Sequence, residues 1–115
     1  MAFSPFDPIV KLCLLGMEKL ELGQWDDAEH TYMQAWDEAT DDFGKFLASY
    51  YLANINYRDK DEKLSWLNTA LKFALKRQDI QAKSALAHLY EAISAIHFEL
   101  KNYRKANHFS KLAAY

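Results

Sequence analysis

The side chains able to do chemistry are few, and their spacing does not combine them. Four histidines occur, His30, His88, His97 and His108. No two stand three or four residues apart and no HExxH motif occurs, so the arrangement that turns two imidazoles of one helix toward a metal is missing. Cys13 is the single cysteine, which excludes an internal disulfide and a cysteine-based cluster. On an apolar face and without an assured histidine partner it reads as inert core. Gly16, Gly23 and Gly44 form neither GxGxxG nor a P-loop, so no phosphate cradle is offered. Asp59-Lys60-Asp61 opens like a calcium loop, but Leu64 stands at the sixth position, where such a loop needs glycine. Asp37, Glu38, Asp41 and Asp42 read as a solvated helix end. Lys101, Arg104, Lys105 and Lys111 surround Tyr103 in a small basic patch that lacks a clear stacking platform, so nucleic acid is not the favoured partner. The expectation is no catalytic residue, no metal site and no cofactor, hence not an enzyme. Function must then reside in a surface, and the elements decide that surface.

A chain of 115 residues fits one domain, and with half of its residues apolar and 15% aromatic it can build a core. Only 3 Gly and 2 Pro occur, both prolines within the first eight residues, which favours long helices over many short strands. No basic region precedes an apolar run at the N-terminus, Lys11 interrupts the first such run, and no stretch reaches the ~18 apolar residues that span a membrane. A cytoplasmic protein without membrane contact is expected. The net charge of −2 conceals an asymmetry. Residues 1–57 carry three basic against ten acidic side chains, net −7, and residues 58–115 carry eleven against six, net +5. Such halves are either solvated helix faces or a dipole that steers association.

Helical periodicity and capping signals place six helices. Asp7-Pro8 opens the first, an N-cap followed by proline at the first helical position. It runs to about Leu22, with Leu12, Leu15, Gly16 and Leu20 at helical intervals, and Gly23-Gln24 turns the chain. The second runs from Trp25 to about Thr40, with Ala28, Tyr32, Ala35 and Trp36 inward. Asp41-Asp42 caps the third, Phe43 to Tyr57, and Arg58-Asp59-Lys60-Asp61 is a polar turn. The fourth covers Glu62 to Lys76. Asp79 caps the fifth, Ile80 to Leu100, whose inward positions are Leu86, Leu89, Tyr90, Ile93, Ile96 and Phe98. Lys101-Asn102 turns into the sixth, from Tyr103.

These helices pair into three hairpins with an internal repeat. Trp25, Ala28, Tyr32 and Ala35 recur as Tyr103, Ala106, Ser110 and Ala113 with the same offsets, and Leu22-Gly23-Gln24-Trp25 recurs as Leu100-Lys101-Asn102-Tyr103. A degenerate middle copy places Lys60, Lys63, Leu67 and Ala70 in those positions. Ala35 to Ala70 is 35 residues and Ala70 to Ala113 is 43, so the second copy has a lengthened helix pair. The run LGMEKLELGQWDDAEHTYMQAW, Leu15 to Trp36, with small residues set between large apolar ones around a tight turn, resembles the tetratricopeptide repeat. The resemblance covers about residues 8–115 as one domain, with repeats near 8–42, 43–77 and 79–115. It implies an all-α solenoid of three antiparallel helix hairpins, six helices in a right-handed superhelix.

What that family does follows from the resemblance alone. Its first helices line a concave groove that binds peptides or partner helices, in one subset through a carboxylate clamp of Lys, Asn and Arg. The groove positions fall here on Val10, Cys13, Leu14 and Met17, on Lys45, Ala48, Ser49 and Leu52, and on His88, Glu91, Ala92 and Ala95. Lys45 is the single fixed cation among them, so no clamp is expected. The expected groove is apolar, lined by Cys13, Met17, Leu20, Leu52 and Ile55 with Lys45 and His88 along it and Glu21, Glu91 and Glu99 at its edges. It suits an amphipathic or extended apolar peptide with some basic residues. His97 falls on a core position where the family carries an aromatic, and a buried, hydrogen-bonded imidazole is expected. His108, Leu112 and Tyr115, spaced i, i+4, i+7, lie where a capping helix would dock, and an uncapped end there would serve a homodimer or a partner helix. The expected function is an adaptor for a protein or peptide. The alternatives are self-assembly through that end and an RNA-associated accessory domain.

Overall fold

The computed structural model describes residues 7–55, 59–76 and 80–114, side chains of 80–83 excepted. Six helices and no strand occur among them: α1 (Pro8–Glu21), α2 (Trp25–Glu38), α3 (Asp42–Ala53), α4 (Lys60–Leu75), α5 (Ile80–Glu99) and α6 (Tyr103–Ala113). Local chemistry sets their ends. Asp7 caps α1, its carboxylate accepting from the N–H groups of Ile9 and Val10, with Pro8 at the first position. Asp41 caps α3 by accepting from Gly44 N at 2.7 Å. Asp59 accepts from Asp61 N at 2.9 Å, so α4 starts at Lys60, two residues before the expected Glu62. Extended Ala39 ends α2 at Glu38 instead of Thr40. Nδ2 of Asn54 donates to the Tyr50 carbonyl at 2.8 Å, beside the Asn54 N–H, which donates to the same oxygen at 3.2 Å. α3 ends at Ala53, whereas the expected end was Tyr57, a residue outside the described set. The proposed cap Asp79 also lies outside it.

The helices pack as three adjacent pairs, α1 with α2, α3 with α4 and α5 with α6, and the pairs meet through α3 and α4. Two apolar clusters form. Val10, Cys13, Tyr32, Ala35, Leu47, Ala48 and Leu52 join α1, α2 and α3 in the first. Phe46, Ala53, Leu67, Ala70, Ala74, Leu89, Ile93 and Ile96 join α3, α4 and α5 in the second. α3 feeds both, which is why its Ala48, Ser49, Leu52 and Ala53 have no exposed surface. The two junctions differ. α3 lies against both helices of the first hairpin, whereas α5 lies along α4 and reaches α3 by side chains such as His88, whose ring is 6.0 Å from Tyr50. The regular superhelical step implied by the repeat is therefore not copied at the second junction.

Trp36 ties the pairs together. Its ring meets Trp66 at 5.3 Å and Phe73 at 6.0 Å, both edge-on, and Lys45 Nζ lies 4.3 Å above it. The same ammonium donates to the Trp36 carbonyl at 2.6 Å, giving the C-terminal end of α2 the cation its own last turn lacks.

Candidate functional site

The first and third hairpins are built alike. The C-terminus of α1 closes with Gly23 N donating to Leu20 O and Gln24 N donating to Lys19 O, at 3.0 and 2.9 Å. Lys101 N to Phe98 O and Asn102 N to His97 O, at 3.0 and 2.8 Å, repeat that closure at the end of α5, 78 residues on. This is the glycine-favouring motif in which the residue after the cap turns left-handed. Gly23 has φ 77° and Lys101 has φ 64°. The helix crossings correspond as well. Gly16 faces Tyr32 so closely that an added Cβ would lie 2.3 Å from the Tyr32 ring. Ser94, in the place of Gly16, donates its hydroxyl to the Ala106 carbonyl at 2.6 Å. Lys19 Nζ donates to Thr31 Oγ1 at 3.0 Å, and at the same places His97 stacks on Phe109, with ring centroids 5.7 Å apart.

This correspondence gives each exposed position a meaning. The face of α5 covered by α4 carries Leu89, Ile93, Ile96 and Leu100. Its counterpart on α1 is exposed and carries Lys11, Leu15, Glu18 and Leu22, so two charges interrupt that face. Conversely, the face of the first hairpin that receives α3 carries Val10, Cys13, Tyr32 and Ala35. The matching positions of the third hairpin are His88, Glu91, Ser110 and Ala113, three of them exposed.

The expected groove residues divide accordingly. Cys13, Leu52 and Ile55 are sealed in the first cluster and cannot line an open groove. Burial, with the nearby Asp7 charge adding to it, pushes the Cys13 thiol up to about 12. Lys45 is half-buried and engaged on Trp36. Leu20 is half-buried against the same cluster, while Met17 and Glu21 are exposed on α1. His88, Glu91 and Glu99 are exposed on α5, and Glu99 meets Lys60 across a 3.3 Å ion pair with both side chains half-exposed. A continuous apolar groove is thus interrupted at its middle, because α3 is enclosed by its neighbours. The expected end patch is also displaced. His108 and Leu112 correspond to the solvent-facing His30 and Gln34 of α2, away from the face where a further helix would dock, and Tyr115 is outside the described residues.

His97 is buried as expected, but its Nδ1 has no hydrogen-bond partner among the described residues, where one was expected. Burial and the nearby Lys105 charge hold its pKa below the usual imidazole value. Sequence reasoning missed Phe98. Expected inward, it is 63% exposed, with Tyr103 edge-on at 5.4 Å. The signal available was its match to Leu20 next to a serine-lined crossing. Phe98, Glu91, Ala95, Glu99, Ser94 and Ser110 line one open hollow of about 380 Å³ between α5 and α6.

No protein-family model, no curated protein and no solved structure matches the chain. No helix among the described residues is long and apolar enough to cross a membrane.

Proposed function

We propose that this chain is a non-enzymatic interaction module of the tetratricopeptide type, an adaptor that holds a peptide or helix of another protein. The observation that carries this reading is the matched pair of hairpins, whose turns and crossings agree at an offset of 78 residues. Hairpins of that kind present helix faces to other chains. Exposed apolar side chains add support: Leu14, Leu15, Met17 and Leu22 in and just after α1, Trp25 opening α2, and Phe98 and Tyr103 at the α5–α6 turn. The cytoplasm, no cofactor and recognition without a carboxylate clamp complete the reading. The experiment is selection from a displayed library of helical and extended peptides against the full chain. Peptides that bind with micromolar or tighter affinity support it, and a library that yields none overturns it.

A second reading, self-assembly of the chain with itself, draws on the net charges of −7 and +5 in its two halves. It requires a stable oligomer of the purified chain.

A further inference from the structure

We propose that the cleft between α5 and α6 is a helix seat for a basic amphipathic segment of a partner protein. The proposal rests on the interaction-module reading and adds the site and the chemistry of its occupant.

The first hairpin shows how such a cleft is used. α3 lies against α1 and α2 there, with Leu47, Ala48 and Leu52 in one cluster with Val10, Cys13 and Tyr32, and Tyr51 stacked on Tyr32 at 5.4 Å. The Tyr32 ring fills the notch over Gly16. In the third hairpin the notch lies between Ser94 and Ser110, and the aromatic ring is absent. What remains is the open hollow of about 380 Å³.

Its lining states what it accepts. Glu91, Ala95, Phe98 and Glu99 are spaced i, i+4, i+7 and i+8, so they share one helix face. Phe98 offers a largely uncovered ring. Glu91 has no ion pair among the described residues, and Glu99 has only the exposed contact to Lys60. A purely apolar helix would strip water from two carboxylates without replacing it, and an acidic one would be repelled. A helix that lays an apolar side chain on Phe98, points Lys or Arg at Glu91 and Glu99, and inserts a large side chain between Ser94 and Ser110 satisfies every group present. The two carboxylates of the lining therefore favour cationic side chains at those two places, although the other exposed charges of this hairpin among the described residues, Lys101, Arg104, Lys105 and Lys111, are basic.

The test uses peptides selected on the full chain from a displayed helical library. Their affinities are then measured for wild type, Ser110→Tyr, Phe98→Ala and the Glu91→Gln/Glu99→Gln pair. Ser110→Tyr puts a ring over the hollow. Because the Ser94 side chain stands where Gly16 leaves room for Tyr32, the ring must lie in the mouth of the hollow instead of the notch, and circular dichroism verifies the folding. Phe98 is exposed, so its truncation keeps the test valid if Ser110→Tyr unfolds. The expected result is a set of basic amphipathic peptides that lose about tenfold or more in affinity with Ser110→Tyr or Phe98→Ala. The same peptides lose severalfold with the double Gln variant and weaken as salt rises. Peptides that bind these variants as they bind wild type would overturn the seat while leaving the module reading intact. An empty selection would overturn both. Self-association of the free chain that Ser110→Tyr abolishes would give the seat to a second copy and overturn the partner assignment.

Discussion

Cys13 and His97 show what burial does to single side chains here. Cys13 is 1% exposed, and burial, with the Asp7 charge adding to it, pushes its thiol up to about 12, which disfavours the thiolate at pH 8. Its reaction with a soluble disulfide reagent should follow the opening of the α1–α2–α3 cluster. Labelling that is slow in buffer and fast in urea is the expected result. His97 carries a pH dependence. Its folded pKa lies below the unfolded value of about 6.5, so the unfolded chain takes up a proton first. Stability is full above pH ~6.5 and is lost as the pH falls below it. His97→Phe should flatten this loss between pH 7.5 and 5.5 in thermal melts. At neutral pH it should also gain about 1 kcal/mol, because the unpartnered Nδ1 is removed and the stack on Phe109 kept. At this scale the sequence was legible by position more than by partner. His97 was placed inside correctly, but a stack that satisfies one ring face and leaves a nitrogen orphaned depends on where Phe109 lands. Lys45 read as a groove cation because its attachment to the Trp36 carbonyl joins two helices whose angle no local pattern encodes.

Turns and crossings carry the predictions at the scale of elements. Lys101 holds a left-handed backbone that costs a side-chain-bearing residue roughly 1 kcal/mol. Lys101→Gly should therefore raise stability by about that amount, read as a higher denaturation midpoint. Gly23→Ala should lower it by a similar amount. Ala28 has no exposed surface, and Ala28→Leu should cost roughly 1–3 kcal/mol by overpacking the α1–α2 crossing. An unchanged melting temperature would contradict the assigned hairpin. Helices were the most legible feature, since aspartate caps and periodicity are local. The caps Asp7 and Asp41 stand where expected, and α6 begins at the expected Tyr103. At the missed end of α3 the side-chain amide and the backbone N–H of Asn54 both donate to the Tyr50 carbonyl, a cap that helical periodicity does not signal. Phe98 was misplaced because periodicity alone cannot tell which face of α5 meets α4.

Across the whole molecule, the placement of α3 decides what remains open. By serving both apolar clusters it closes the middle of the expected groove and leaves exposed apolar side chains to the hairpins at the two ends. The repeat pattern could not reveal this, because the 43-residue step between the second and third copies lets α5 lean along α4 instead of repeating the seat of α3. The expected patch of His108 and Leu112 does not lie on the face that matches the seat of α3, because α6 turns Leu112 toward the side where α2 carries Gln34. Glu91, Phe98 and Ser110 of the proposed seat lie elsewhere on the hairpin. Leu22, Trp25, Phe98 and Tyr103 are exposed, and on the interaction-module reading they are the surface offered to other chains. Whether the free chain already uses that surface on itself separates an adaptor from a self-assembly module. The most direct measurement is the solution mass of the purified protein by sedimentation across a thousandfold dilution, with Phe98→Glu alongside. The interaction-module account predicts a monomer at every concentration for both proteins. A stable dimer would contradict it, and its conversion to monomer by Phe98→Glu would place the self-association on the exposed face of the third hairpin.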